Sequence, residues 1–268
     1  MADRGLTVER MPHGVLQLWL DRPAQRNALS LDLVQALRDA LAAAEGDGTT
    51  RIVVLRGRGG HFCAGADLKD LATARARLTD DPDAVAKVNA QFGELCVAFA
   101  GTGLATVAVL EGAVMGGGLG LACAVDVAIA GRSASLRLPE TRLGVVPAQI
   151  APLLVERIGL SQARRLAITA ARLDADAACA LGLVHAVHDD GAVLDAALAE
   201  LLDQILQCAP GAIAATKALM RRARLEAPSD LVGAAAQVFS DAALGPEGIE
   251  GTMAFLQKRS PRWAPAAP

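Results

Sequence analysis

Two unbroken runs of small and β-branched residues, RIVVLRGRGG (51–60) and LATVAVLEGAVMGGGLGLA (104–122), constrain this chain more than any other feature. Apolar residues that do not alternate with polar ones mark a strand buried on both faces, and such a strand needs a covering layer on each side of its sheet. Each run stops at a glycine-rich turn. If the two strands are parallel neighbours, both turns lie at one end of the sheet. Small residues there let backbone N–H groups approach a ligand closely, and a helix opening near Gly117 adds its dipole to them. Two N–H groups from separate loops can form an oxyanion hole. The same glycines and alanines also serve close packing, and their spacing alone leaves both roles open.

The rest of the chain fits an α/β core. VLQLWLDRP (15–23) reads as a strand, and SLDLVQALRDALAAAEGDG follows as a helix with Ser30 at its N-cap. The polar stretch 70–84 gives no clear signal, whereas 84–100 has helical spacing through Val85, Val88, Phe92, Leu95 and Phe99. DVAIAG (126–131) is a third buried strand. Short helices are expected over 149–158, 161–169 and 174–181, a short strand over 183–189, and helices over 192–208, 211–224, 229–243 and 246–257. Strand–helix units followed by a helical tail imply an α/β core over 1–200 and a C-terminal helical region over 201–268.

Composition removes several classes of function. The net charge of −3 offers no field for a polyanion, and aromatic residues at 3%, with no tyrosine, offer no stacking platform. Nucleic acid is therefore an unexpected partner. The five cysteines are odd in number, scattered and without C-x-x-C spacing, as reduced thiols filling a cytoplasmic core would be. The start MADRGLTVER lacks a signal-peptide core, and the apolar region 104–130 is interrupted by Glu111, Asp126 and glycines, so no membrane span is expected. G-x-G-x-x-G fails at Leu121 and at Phe62, and no P-loop, G-x-S-x-G elbow or metal-ligand spacing occurs. His13, His61 and His188 read as loop residues and His185 as a strand residue, all in structural or surface roles. Cys63 has no identifiable base to make it a nucleophile.

Five ordered segments, DRPAQRNALS, HFCAGADLKDL, VLEGAVMGGGLGLACAVDVAIAG, LPETRLGVVPAQIAPLL and EGIEGTMAFLQKRSPRW, together resemble the enoyl-CoA hydratase/isomerase (crotonase) family over nearly the whole chain. The resemblance implies a spiral of ββα units with a C-terminal helical trimerisation region, and a homotrimer or dimer of trimers. It implies an acyl-CoA thioester as substrate and no metal or redox cofactor, coenzyme A being part of the substrate. The oxyanion donors fall on Ala66 and Gly117. Ala64, Ala66, Asp67, Leu68 and Lys69 would lie along the CoA moiety, with Arg26 and Ala28 of the RNAL turn, and Gly116 beside them.

Proton transfer still needs a titratable side chain. In two-carboxylate hydratases of the family one glutamate stands two positions after the GGG and another in the PE pair. Here the second is Glu140, and the first position is Gly120. Some branches that act on branched glutaconyl-CoA substrates share both this glycine and a P-A-x-I-x-P segment, here Pro147–Pro152. That segment replaces the more usual PGxGG form, with Ala148, Ile150 and Ala151 at its glycines and Gln149 in the variable place. Gln149 would hold a water or a polar acyl group, or serve loop packing. The missing side chain at Gly120 is expected to leave room for a larger or branched acyl chain, and Arg142 is the one cation next to Glu140 for a distal carboxylate. The resemblance thus implies hydration of a 2-enoyl-CoA by one glutamate. A double-bond isomerase is the alternative, and a catalytically weak CoA-thioester or RNA-binding homologue a further one.

Overall fold

The two buried runs lie side by side and parallel. In the computed structural model, which describes residues 4–265, the element order is β1 (Leu6–Met11), β2 (Val15–Leu20), α1 (Leu31–Gly46), β3 (Ile52–Gly57), α2 (Leu68–Ala76), α3 (Ala84–Gly101), β4 (Ala105–Leu110), β5 (Ala113–Met115), α4 (Gly117–Ala124), β6 (Val127–Gly131) and β7 (Ser135–Arg137). Then come α5 (Ala151–Thr169), β8 (Arg172–Asp174), α6 (Ala175–Ala180), β9 (Ala186–His188), α7 (Ala192–Leu206), α8 (Pro210–Ala223), α9 (Pro228–Leu244) and α10 (Pro246–Leu256). The main sheet has the order β1-β2-β3-β4-β6-β9, antiparallel only at β1–β2. A small second sheet, β5-β7-β8, stands beside it.

The absence of alternation in β3 and β4 now has its cause. Val53, Leu55, Ala108 and Leu110 join a core with α1, α3 and α4, while Ile52, Val54, Val107 and Val109 face a second core closed by Leu194, Leu198 and Leu206 of α7. Both faces of each strand are dry. Lys217 of α8 ties the C-terminal helices to this layer, donating to Leu104 O and to Asp126 Oδ2, the latter at 2.6 Å.

Local chemistry sets several boundaries. The Ser30 hydroxyl accepts from Leu33 N at 3.3 Å and starts α1. The polar stretch hides a helix: α2 begins at Leu68 because Asp67 caps it, accepting from Lys69 N at 3.1 Å. The segments 149–158 and 161–169 join as α5 across a kink at Gly159, which takes φ 73°. The assignments of His185 and His188 are reversed, while His61 lies on a loop as expected. The β6–β9 register pairs Gly131 with His188, which places His188 in the strand, and His185 precedes it with Nδ1 facing Ala128 N at 3.0 Å. Four strands, β1, β5, β7 and β8, were not legible in the sequence; three of these have only three residues. Among the described residues no helix is long and apolar enough to cross a membrane. Residues 1–3 of the MADRGLTVER start and the last three of the C-terminal region lie outside the described residues.

Candidate active site

The turn after β3 and the turn after β4 are stitched together by backbone. Phe62 N donates to Glu111 O at 2.7 Å, Cys63 N to Ala113 O at 2.9 Å, and Met115 N returns to Cys63 O at 2.9 Å. A third strip of chain, the RNAL turn, joins them: Ala64 N donates to Arg26 O, Leu29 N to Gly65 O, and Asp67 N to Leu29 O, all at 2.8–2.9 Å. In this parallel bridge between Leu29 and Ala66 the residues on either side of Ala66 make the bonds. The N–H of Ala66 therefore points away from Leu29, and it has no acceptor among the described residues.

Gly117 is the first residue of α4, where an N–H has no intrahelical acceptor. It carries the positive end of the helix dipole. Gly65 and Gly116, the neighbours of the two free donors, are in direct backbone contact: a Cβ added at Gly116 would lie 3.7 Å from Gly65 Cα, and one added at Gly65 would lie 3.1 Å from Met115 O. Both have positive φ, 100° and 50°. Only glycine at both places lets the loops close this far.

Each remaining glycine of the cluster has its own reason. A Cβ at Gly118 would lie 2.7 Å from both Cβ and the carbonyl oxygen of Cys63. One at Gly117 would meet Leu29 Cδ1 at 3.0 Å and the Phe92 ring at 3.4 Å, and one at Gly120 would meet Phe92 Cζ at 3.0 Å and Ile150 Cγ1 at 3.1 Å. Close packing and free N–H donors are thus two properties of one arrangement. The expected room beside Gly120 is not there: Phe92 of α3 and Ile150 fill it.

At its other end α4 is held by Arg157 of α5, whose guanidinium donates to Ala122 O at 3.3 Å, Cys123 O at 3.1 Å and Val125 O. A cation on the last carbonyls complements the helix dipole and fixes the axis along which the Gly117 N–H points.

Glu140 opens a single 3-10 turn, Glu140–Leu143, after β7. The turn is anchored on α5 by Thr141 Oγ1, which donates to Ala167 O at 2.9 Å. The carboxylate meets α4 at Gly116, where an added Cβ would lie 2.7 Å from Glu140 Oε1. Its other oxygen, Oε2, is buried and without a hydrogen-bond partner among the described residues. Burial pushes the carboxyl above the ordinary glutamate range, outweighing the opposing bond from its own backbone N–H. A half-buried acid with a free oxygen, beside two unspent N–H donors, can move a proton on a group whose negative charge those donors hold.

The other expected residues sort by place. Arg26 and Lys69 are exposed cations on the two strips of chain that flank the site, and Ala28, Ala64 and Asp67 lie between them. Leu68, 62% exposed, opens α2. Asp67 is ion-paired to Arg22 at 2.9 Å. Burial raises its pKa, but the bonds from Arg22 and Lys69 N outweigh that and hold it low. Gln149 turns to α3, donating from Nε2 to Asn89 Oδ1 at 2.9 Å, with Oε1 against Gly93.

Sequence reasoning missed Phe92, which it read as helical core, and Asn27. The Asn27 side chain is wholly buried and locks the RNAL turn, accepting from Arg22 N at 2.9 Å and donating to Arg58 O at 2.9 Å and His61 O at 2.6 Å. Its φ of 59° is a signal asparagine can carry, but only beside its partners. Cys63 is sealed under α4 with its thiol pushed up to about 12 by burial, so it packs and does not attack. Cys208 departs from the expected buried thiols and is exposed.

Residues 10–265 match the family described as Enoyl-CoA hydratase/isomerase. Mouse mitochondrial methylglutaconyl-CoA hydratase is 31% identical over 261 residues, 96% of this chain and 81% of the relative. The 2,3-dehydroadipyl-CoA hydratase of Escherichia coli K12 is 32% identical over 92% of this chain and 94% of its own. Among solved structures, Pseudomonas aeruginosa AtuE superposes with a TM-score of 0.93 at 50% identity, over 97% of this chain and all of its own. An enoyl-CoA hydratase/isomerase from Marinobacter aquaeolei gives 0.92 at 48%, over 97% and 99%.

Proposed function

This chain belongs to the enoyl-CoA hydratase/isomerase family, with the crotonase fold and an acyl-CoA substrate, and we propose that it adds water to a 2-enoyl-CoA with Glu140 as its only catalytic carboxylate. The observation that carries this is the Glu140 carboxyl, with Oε1 against Gly116 and Oε2 buried and unpartnered among the described residues. Ala66 N–H and Gly117 N–H hold the thioester oxygen. Glu140 takes a proton from water, the hydroxyl bonds to C3, and the electron pair of the C2–C3 double bond moves onto the thioester oxygen as an enolate. The same carboxyl then gives its proton to C2, so the carboxylate is restored and one water is consumed. No oxidation state changes, and no group beyond the substrate's own coenzyme A is invoked. Arg26 and Lys69 are suited to the anionic CoA moiety, and Ala28, Ala64, Asp67, Leu68 and Gly116 form the backbone channel along it.

The finer part of the reading is a branched or glutaconyl-type acyl group. It is supported by the names methylglutaconyl-CoA hydratase and 2,3-dehydroadipyl-CoA hydratase among the relatives, both denoting thioesters of unsaturated dicarboxylic acids. A homotrimer or dimer of trimers belongs to the same proposal, in keeping with Phe239 at 75% and Phe255 at 83% exposure on α9 and α10. A cytoplasmic location, in keeping with five free cysteines, belongs to it as well.

The test is loss of conjugated thioester absorbance with crotonyl-CoA, glutaconyl-CoA and 3-methylglutaconyl-CoA. A single proton-carrying carboxylate also suits a double-bond isomerase. Conversion of a 3-enoyl-CoA with no hydration of the three 2-enoyl esters would overturn the proposal in favour of that second reading. Full activity in Glu140→Gln would remove the catalytic assignment.

A further inference from the structure

The amide pair that ties α3 to the turn before α5 has donors to spare. Gln149 spends one Nε2 hydrogen on Asn89 Oδ1 at 2.9 Å, and its Oε1 is pressed against Gly93, where any Cβ would collide with it. The amide plane is therefore fixed. One further N–H on Gln149 and both on Asn89 Nδ2 have no acceptor among the described residues.

These donors stand at the edge of the active site. Asn89 and Phe92 are three residues apart on one helix, about 4.5 Å along its axis. The Phe92 ring covers the positions of Gly117 and Gly120, and Ile150, next in the chain to Gln149, touches Gly120 as well. An acyl chain whose thioester oxygen sits on the Gly117 N–H would run along this apolar wall, at whose rim the amide pair stands, half-buried at Gln149 and exposed at Asn89. The wall takes no polar group. The pair beyond it presents several N–H hydrogens and no charge.

We propose that Asn89 and Gln149 are specificity-determining residues that receive a carboxylate at the distal end of a short acyl chain, making the preferred ligand a CoA monothioester of a dicarboxylic acid. This rests on the acyl-CoA site proposed above. Hydrogen bonds to an ionised acceptor are shorter and stronger than those to a neutral one, so a carboxylate uses these donors best. Arg142, the cation next to Glu140 in sequence, stands on the Glu140–Leu143 turn and not on the Phe92 wall.

Binding of saturated analogues tests this without turnover. The expected result is tighter binding of glutaryl-CoA than of butyryl-CoA by the full chain, with the preference reduced at least tenfold in Gln149→Leu and in the near-isosteric Gln149→Met, and abolished in Gln149→Glu. Asn89→Leu should reduce it by a smaller factor. The proposal is overturned if the wild type shows no preference, if the preference survives Gln149→Met and Gln149→Glu, or if Arg142→Ala removes it instead. Because the analogues cannot be hydrated, a preference found in a protein that hydrates nothing would sink the reaction and keep the site; hydration with no preference would do the reverse.

Discussion

Alanine at Gly120 brings helix propensity and packing into conflict. Gly→Ala inside an exposed helix gains about 1 kcal/mol. In α4 the added Cβ arrives 3.0 Å from Phe92 Cζ and 3.1 Å from Ile150 Cγ1. Carbon pairs prefer about 3.5–4.0 Å, so both neighbours must withdraw by roughly half an ångström. Overpacking of this kind costs about 1–3 kcal/mol, which leaves Gly120→Ala destabilised by about 0–2 kcal/mol. The diagnostic quantity is the coupling with Phe92. In a Phe92→Leu background the ring no longer limits the site, and the alanine should turn stabilising by up to about 1 kcal/mol. A double-mutant cycle by urea denaturation, with unchanged m-values, should therefore show a favourable interaction of about 1–3 kcal/mol. Strict additivity would refute the claim that Phe92 fills this space. The same reasoning carries to Gly120→Glu: alone it forces a carboxylate into an apolar wall and should gain no crotonyl-CoA hydration, whereas with Phe92→Ala it should gain some.

Glu140→Gln should lower kcat by a factor on the order of 100 to 10,000, the usual worth of a positioned acid/base. Because burial raises the Glu140 pKa in the folded state, the acidic limb of the wild-type rate profile should lie above the ordinary glutamate range, visible in kcat/KM against pH. The sign for stability is the reverse of activity. A raised folded pKa favours the fold while the group is protonated, and that advantage is lost as pH rises through the folded value, so Glu140→Gln should be more stable than wild type at neutral pH and lose that margin in acid, read as Tm against pH. Ala66→Pro deletes an N–H that makes no structural bond; hydration should fall about 100- to 1,000-fold while the melting curve moves little, and an unchanged rate would remove Ala66 from the oxyanion hole. Thiol labelling of the native protein should modify exposed Cys208 quickly and buried Cys63, Cys96 and Cys123 only on unfolding; mass spectrometry of the labelled peptides reports this.

The sequence made β3 and β4 recognisable as strands dry on both faces and marked the small-residue turns that follow them, while their parallel pairing and the choice between donor loop and close packing came from elsewhere. It also marked Glu140 as the lone acid of its segment. It did not determine what stands opposite Gly120. A glycine reports only that a side chain is absent, and whether the space holds substrate, water or protein depends on residues distant in the chain. Here Phe92 comes from 28 positions earlier and Ile150 from 30 later. Contacts between distant elements likewise make Asn27, read only as part of a turn, the wholly buried lock between that turn and the turn after β3, and pair Gln149 with Asn89. These are non-local contacts between residues of ordinary type, and periodicity and spacing carry no trace of them.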